Sequence, residues 1–319
     1  MDLKQLRYFT VIAEAGSLSL ASARLHIAQP ALSLHLAKLE GELGVQLMVR
    51  NNRGVTLTAH GESLLHHANR ILKDCDYTVS SFRSAATTPM GIVSVGFFST
   101  TPEALVQLFV ERVHLELPQI FLKVHESHSG RLEEDLQNGT LDLALVMVRK
   151  ATEGFDIHPL LFEELFLVSP PEPGNTAESI DLRDVFDLPL FLPKVGISLR
   201  DQMEEAALNI GKTPHVVHEI DSARFRKRTV LSGLGHTILP WSTVIDDHAQ
   251  GKFLLRRIVN PELRALLGMA ESSARPPSRA RQAVKSALVE TIKSLVSEGR
   301  WSAQAYTKPK AKRQGAKAP

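Results

Sequence analysis

The chain is 319 residues long, with a formal net charge of +2 and a single cysteine. That length predicts about two folded units, the lone Cys75 excludes an internal disulfide and fits a reducing compartment, and no apolar run approaches the roughly 18 residues that a membrane-spanning helix needs. Six basic residues (Arg300, Lys308, Lys310, Lys312, Arg313 and Lys317) lie in the last twenty and leave −4 for the remainder, so affinity for nucleic acid has to be argued locally.

The N-terminus begins on an amphipathic helix without the charged, apolar and small-residue blocks of a signal sequence, so a cytoplasmic location with no membrane partner is expected. Residues 2–15 predict that first helix, with Leu3, Leu6, Phe9 and Ala13 facing inward. Residues 16–43 then read as two short helices joined by a tight turn. Ser17 is a natural N-cap, and Leu18, Ala21 and Leu25 fall on one face. The turn spans His26 to Ala28, and Pro30 sits in the first turn of the next helix, where a missing N–H costs nothing. Leu32, Leu36, Leu39 and Leu43 form an apolar stripe, which leaves Gln29, Ser33, Leu34 and Lys38 for solvent or a partner. Small residues at Ala21 and Ala31 let the two helices approach closely, as a helix-turn-helix requires.

Leu47 to Thr58 predicts a β-hairpin, apolar at Leu47, Val49, Val55 and Leu57 and turning at Asn51-Asn52-Arg53-Gly54. Arg50 and Arg53 flank that turn, placed for phosphates or a minor groove; a pair of solvated arginines is the plainer reading. Thr58 caps a helix that runs to Pro89. On it Leu64, Ala68, Ile71, Cys75, Thr78 and Phe82 recur at heptad spacing, a seam that needs a partner helix. Cys75 reads as a small seam residue, with a redox role as the alternative.

Beyond Thr87-Thr88-Pro89 the pattern changes to alternating strands and helices. Strands are predicted at Ile92–Phe97, Ile120–Glu126 and Leu141–Val148, with helices at Pro102–Glu116 and Leu132–Asn138. This βαβαβ order argues for a parallel sheet. A strand at Leu165–Ser169 crosses out to a second set: Leu190–Leu192, helix Leu199–Ile210, strand Val216–Ile220, helix Ser222–Leu234 and strand Thr237–Leu239. Phe253–Val259 and Leu266–Ala270 return as strands, and a helix fills Ser278–Glu298. The basic run Arg224-Phe225-Arg226-Lys227-Arg228 is a solvated face, a subunit contact or a sensor of a polyanion. From Tyr306 onward the basic tail has no apolar pattern and is expected to be disordered, adding phosphate affinity or merely solvating the end.

The particular residues add to this reading. Leu6-Arg7-Tyr8-Phe9, Ala15-Gly16-Ser17, Ala28-Gln29-Pro30-Ala31-Leu32-Ser33, Leu39-Glu40, Leu43-Gly44 and Arg50 through Gly61 resemble the amino-terminal domain of LysR-type transcriptional regulators. Leu136-Gln137-Asn138-Gly139-Thr140-Leu141-Asp142-Leu143-Ala144 resembles the family's L-x-x-G-x-L-D-L-A signature, and Gly233-Leu234-Gly235-His236-Thr237-Ile238-Leu239-Pro240 its G-L-G-x-x-I-L-P turn. Gly299-Arg300-Trp301 is similar to the end of the nitrogen-assimilation-control subgroup.

The resemblance implies a winged helix-turn-helix over 1–58, a linker and dimerisation helix over 59–89, a two-lobed, periplasmic-binding-protein-like α/β effector domain over 90–302, and a basic tail over 303–319. It implies double-stranded DNA as partner, bound at an interrupted palindrome by a homodimer or homotetramer, with RNA polymerase as a further partner and activation as the direction. Ala28, Gln29, Pro30, Ser33, Leu34, Lys38, Arg50 and Arg53 are the implied DNA contacts. Gln29 would bond an adenine, Pro30 would pack on a thymine methyl, and Ser33 would bond base or phosphate. The family often has arginine where this chain has Leu34, so an altered base preference is expected there.

No cofactor is expected beyond a small-molecule co-inducer. Hydroxyls stand where strands give way to helices, and helix N-termini favour an anion such as a carboxylate. Ser99, Thr100, Thr101 and Ser129 on the first lobe, with Gly196, Arg200, His236 and Thr237 on the second, are the implied effector contacts; ordinary helix capping is the plainer reading of each. The alternatives from other classes are a solute-binding transport protein and a metal-dependent enzyme. The chain has no G-x-S-x-G elbow, P-loop, H-E-x-x-H or paired-cysteine motif. His66-His67 diverge on a helix, and His125 and His128 lack an evident third ligand, so neither enzyme nor metal centre is expected.

Overall fold

Helix α1 (Leu3–Ala15) opens with a capping box: the Gln5 N–H donates to Asp2 at 2.7 Å and the Asp2 N–H donates to Gln5 Oε1 at 2.8 Å. The computed structural model describes residues 1–51, 54–83, 88–148, 155–172, 174, 177–272 and 278–306. Leu6, Phe9 and Ile12 are buried and Ala13 packs half-buried against the same core, but Leu3 is exposed, against the expectation. A three-residue spacing falls behind the 3.6-residue turn, so Leu3 lies about 120° around the helix from Phe9.

α2 (Leu18–Leu25) and α3 (Gln29–Leu43) follow. Leu32, Leu36 and Leu39 of α3 are buried, whereas Leu43, at its last residue, is exposed. Strands β1 (Met48–Asn51) and β2 (Gly54–Leu57) form the hairpin, with Met48 opposite Leu57. Its inward parity is set by Met48, not Val49, which is exposed. Leu47 is buried ahead of the strand because Glu40 accepts both its N–H (2.8 Å) and that of Met48 (3.2 Å).

α4 (Ala59–Arg83) is capped by Thr58, whose hydroxyl oxygen accepts from the Gly61 N–H at 3.0 Å. The predicted seam divides. Leu64, Ala68 and Ile71 pack on the N-terminal core of the same chain, while Cys75 is half-buried and Thr78 exposed. The side chain of Phe82 and residue Thr87 lie outside the described residues. Lys73 reaches from α4 to the Thr140 carbonyl (2.9 Å) and the Asp142 carboxylate (3.3 Å) of the second unit.

The first lobe comprises β3 (Gly91–Phe98), α5 (Glu103–Glu116), β4 (Ile120–Ser127), α6 (Ser129–Gln137) and β5 (Leu143–Met147). β3 pairs in parallel with both β4 and β5, as the βαβαβ order predicts. The chain then crosses on β6 (Phe155–Ser169), a strand that starts ten residues earlier than the pattern indicated. Alternation in Ile157-His158-Pro159-Leu160 is broken by the proline, so its first half carries little strand signal.

The second lobe holds β7 (Ser179–Asp181), α7 (Leu182–Asp187), β8 (Leu190–Leu192), α8 (Ser198–Asn209), β9 (Val216–Glu219), α9 (Ala223–Val230), β10 (Thr237–Pro240), α10 (Trp241–Ala249) and β11 (Leu254–Val259). β12 (Arg264–Ser272) returns to the first lobe, followed by α11 (Arg279–Ser297) and β13 (Ala303–Ala305).

β6 is the spine. Its first half pairs with β12 and its last residues with β10 and β11, so both lobes hang on one strand. β7, α7, α10 and β13 had not been read from the sequence. β13 corrects the expected tail boundary: Ala303–Ala305 pair with Leu161–Glu163 and the Tyr306 N–H donates to the Leu160 carbonyl, while residues 307–319 lie outside the described residues. Trp301, 1 % exposed, anchors that return.

The basic run on α9 splits likewise. Arg226 is buried and donates to the Ile220 and Asp221 carbonyls, with burial lowering its guanidinium to about 10. Lys227 pairs with Asp247 at 2.6 Å, and of the basic residues in the run Arg224 and Arg228 are solvated.

Candidate functional site

Two surfaces gather the candidate residues. The first is the open face of α3. Ser17 caps α2, its oxygen accepting from the Leu20 N–H at 3.4 Å, and His26 ends the helix at φ +53°. Ala28 precedes α3 without a side-chain cap, since its methyl has no acceptor, and Pro30 removes one of the donors a cap would serve. On the open face Ala28, Gln29, Pro30, Leu34 and Lys38 are exposed and Ser33 is half-buried. Leu34 is 71 % exposed there.

Two hydrogen bonds reach this face from other elements. Ser19 of α2 donates to Gln29 Oε1 at 3.0 Å, and Arg50 of the wing donates to Ser33 Oγ at 2.7 Å. The wing itself is tied down by the Val55 N–H, which donates to the Gly16 carbonyl at 2.8 Å. Arg53 lies outside the described residues.

The second surface lies where β6 and β12 cross between the lobes. On the first lobe Ser99 is exposed, Thr100 is buried, and the Thr101 hydroxyl is buried with no hydrogen-bond partner. Ser129, at the start of α6, is buried and accepts from the Met147 N–H at 3.3 Å; His128 Nδ1 caps that helix, accepting from the Arg131 N–H.

On the second lobe Gly196 turns at φ +92° and donates its N–H to Asp201 at 2.8 Å, opening the start of α8. The buried Ser198 hydroxyl there has no partner, whereas Ser242 at the start of α10 faces the Glu163 carboxyl. These helix starts converge on the crossing. Thr243 donates to the Thr100 carbonyl at 3.4 Å, Ser242 N–H donates to Glu163 of β6 at 3.1 Å, and Gln202, one turn into α8, donates to the Arg264 carbonyl of β12 at 2.7 Å.

Three implied effector contacts are placed elsewhere. Arg200 is buried within its own lobe, donating to Glu204 (2.6 Å), Glu219 (3.2 Å) and the Pro193 carbonyl (3.1 Å). Thr237 is fully buried and donates to the Phe191 carbonyl at 2.8 Å. His236 pairs with Ser169 at the end of β6 away from the first lobe, since β10 runs antiparallel and only its far end, Pro240, reaches the crossing. Burial, with Arg256 close by, holds the His236 imidazole below its ordinary range and so favours the neutral ring.

Sequence reasoning took the motif that carries His236 for the cleft and missed the residues just after it. Pro240-Trp241-Ser242-Thr243 was readable as a helix start, with Ser and Thr following proline. Glu163 was also missed. It is 1 % exposed, accepts from Trp301 Nε1 at 3.0 Å as well as from Ser242, and burial pushes its carboxyl up to about 7. Among the described residues no group of three or more His, Cys, Asp or Glu could hold a metal ion, and no helix is long and apolar enough to cross a membrane.

Both halves of the chain match known families. Residues 3–62 match the bacterial regulatory helix-turn-helix protein family, lysR type, and residues 86–293 match the LysR substrate binding domain. The nitrogen assimilation regulatory protein nac of Klebsiella aerogenes is 35 % identical over 93 % of this chain and 96 % of its own. A full-length OxyR variant from Pseudomonas aeruginosa superposes with a TM-score of 0.71 at 27 % identity, over 92 % of this chain and 95 % of that one. CbnR, a LysR family transcriptional regulator, shares the fold with a TM-score of 0.67 at 24 % identity, over 92 % and 99 % of the two chains. These relatives are regulators, and nothing in them supports the enzyme reading. The chain belongs to the LysR family, within its Nac-like subgroup, and is a DNA-binding transcriptional regulator with an effector-binding domain.

Proposed function

We propose that this regulator works in the cytoplasm, without a cofactor, as a homotetrameric activator on an interrupted palindrome, and that it responds to a small carboxylate or comparable anion held between its lobes. The observation that carries the effector class is the pair of buried, unpartnered hydroxyls, Thr101 and Ser198, at helix starts around one strand crossing. Unpaired buried hydroxyls cost about 1–3 kcal/mol each, and an anion accepting from them relieves that cost beside the positive ends of the helices. An effector that prefers one lobe arrangement shifts the population toward it, and through α4 alters how two recognition helices are spaced on DNA.

Exposed apolar side chains support oligomer contacts, notably Phe121 and Val124 on the edge strand β4 and Phe225, Leu231 and Leu234 on and after α9. RNA polymerase is the expected partner of an activator bound beside a promoter. The test is footprinting of the full-length protein on DNA selected from a random pool, with and without aliphatic mono- and dicarboxylates. One of them is expected to change the protected length in the wild type and to lose that effect in Thr101→Val with Ser198→Ala. An identical footprint with every acid rejects the anion reading.

The DNA contacts are proposed as Ala28, Gln29, Pro30, Ser33, Leu34 and Lys38, with Arg50 and Arg53 on the wing. Leu34 offers a thymine methyl an apolar surface and offers guanine nothing. Leu34→Arg is expected to shift the selected motif toward guanine at one position per half-site, by about 1–3 kcal/mol. An unchanged motif after selection would remove Leu34 from the reading face.

A further inference from the structure

Both polar side chains at the heart of the α3 face are held from outside the helix. A glutamine amide has an acceptor end, Oε1, and a donor end, Nε2, and which end meets the bases decides what it reads. The Ser19 hydroxyl donates to Gln29 Oε1 at 3.0 Å, so the acceptor end is turned back onto α2 and the two Nε2 hydrogens face outward. Ser33 is arranged in the same sense. Its oxygen accepts from Arg50 at 2.7 Å, which leaves the hydroxyl proton to point away from the guanidinium. Lys38 on this face is likewise a donor only.

We infer that Ser19, a residue assigned no role in DNA binding so far, is a positioning residue for base choice: it holds Gln29 donor-first, so that Gln29 reads an acceptor edge (guanine O6 and N7, or thymine O4). The two-bond pairing with adenine expected from the sequence needs Oε1 as well, to accept from the adenine N6 amino group, and Ser19 holds that oxygen back. Leu34 and Pro30, both exposed on the same face, suit a neighbouring thymine methyl. A face that leads with donors and seeks methyls favours guanine and thymine on the strand it reads, and it disfavours cytosine, whose major-groove edge is a donor.

This inference rests on Gln29 contacting a base, and the experiment separates the two. The full-length protein is assayed by competition on its selected operator, with each half-site position varied through all four bases at fixed salt. Gln29→Ala identifies the position at which discrimination is lost; if no position changes, the base contact itself is wrong and the inference falls with it. At that position the wild type is expected to rank guanine or thymine first. Ser19→Ala should raise relative affinity for adenine about five- to tenfold, because the freed amide can turn, while affinity for random DNA stays unchanged. Ser19→Thr keeps the hydroxyl and should retain the wild-type ranking. The inference is overturned if adenine ranks first in the wild type, if Ser19→Ala leaves the four-base ranking intact, or if it weakens all four bases equally.

Discussion

Gly54→Ala is expected to lower specific DNA affinity by about ten- to a hundredfold while leaving the effector half's own melting transition in place. Gly54 sits at φ +132°, and a Cβ built on it would lie 2.3 Å from the Gly16 carbonyl oxygen. That oxygen is the one that accepts the Val55 N–H, so the substitution wedges apart the contact that fixes the wing against the turn between α1 and α2. Gly16 cannot yield easily, because it ends α1 at φ +60° with its N–H donating to the Ile12 carbonyl. Backbone strain of about 1–3 kcal/mol adds to a lost hydrogen bond of about 1 kcal/mol. Displacing the wing also withdraws Arg50 from Ser33, so the loss falls on recognition. Gly211→Ala is the matched control: its φ is +69°, with open space around the new methyl. It should cost about 1 kcal/mol of stability and no DNA affinity. Fluorescence anisotropy on operator and random DNA, with thermal melts of each variant, checks the pair. Equal DNA affinities for Gly54→Ala and Gly211→Ala would show that the wing contact is immaterial.

Glu163→Gln is expected to raise stability at pH 8 and to leave it unchanged near pH 4. The Glu163 carboxyl is ordinarily half-protonated near 4.5 when exposed, and burial pushes it up to about 7 in the fold. The folded state therefore holds its proton more tightly than the unfolded chain. Below about pH 4.5 both states are protonated and there is no penalty; between 4.5 and 7 stability falls as pH rises, and above 7 the loss is complete. The full difference is on the order of 3 kcal/mol, an upper bound, and several degrees in melting temperature. Glutamine keeps an oxygen for the Trp301 and Ser242 N–H groups, and its new amide can donate to the Ser242 hydroxyl. Parallel pH profiles of stability for the two proteins would refute this account. The carboxyl lies where β6 is flanked by Ala265 of β12 on one side and Ala303 of β13 on the other, so it joins the lobe crossing, α10 and the chain's return.

Much of this was legible in the residues themselves. Local signals with a strict period or a fixed chemistry are written in short windows: the Ser17 cap, Pro30 in the first turn of α3, the Leu32-Leu36-Leu39 stripe, and parallel strands separated by helices. Each depends on neighbours within one or two turns, so the chain determines it without reference to the rest of the fold, and the motifs at that spacing carried the family.

What the tertiary structure decided involves partners far apart in sequence. Whether the α4 seam faces another chain or its own domain depends on α1, which covers Leu64 to Ile71. Arg200, in a motif window that suggested an anion contact, is instead held by Glu219 and a carbonyl of its own lobe. His236 and Ser242 are six residues apart, yet strand direction sends one to the far end of the lobe and the other to the crossing. Glu163 looks like an ordinary strand acid until β12, β13, α10 and Trp301 close over it. Burial and strand direction are properties of the assembled sheet, because desolvation is imposed by every element that packs around a group and not by the group's neighbours in the chain.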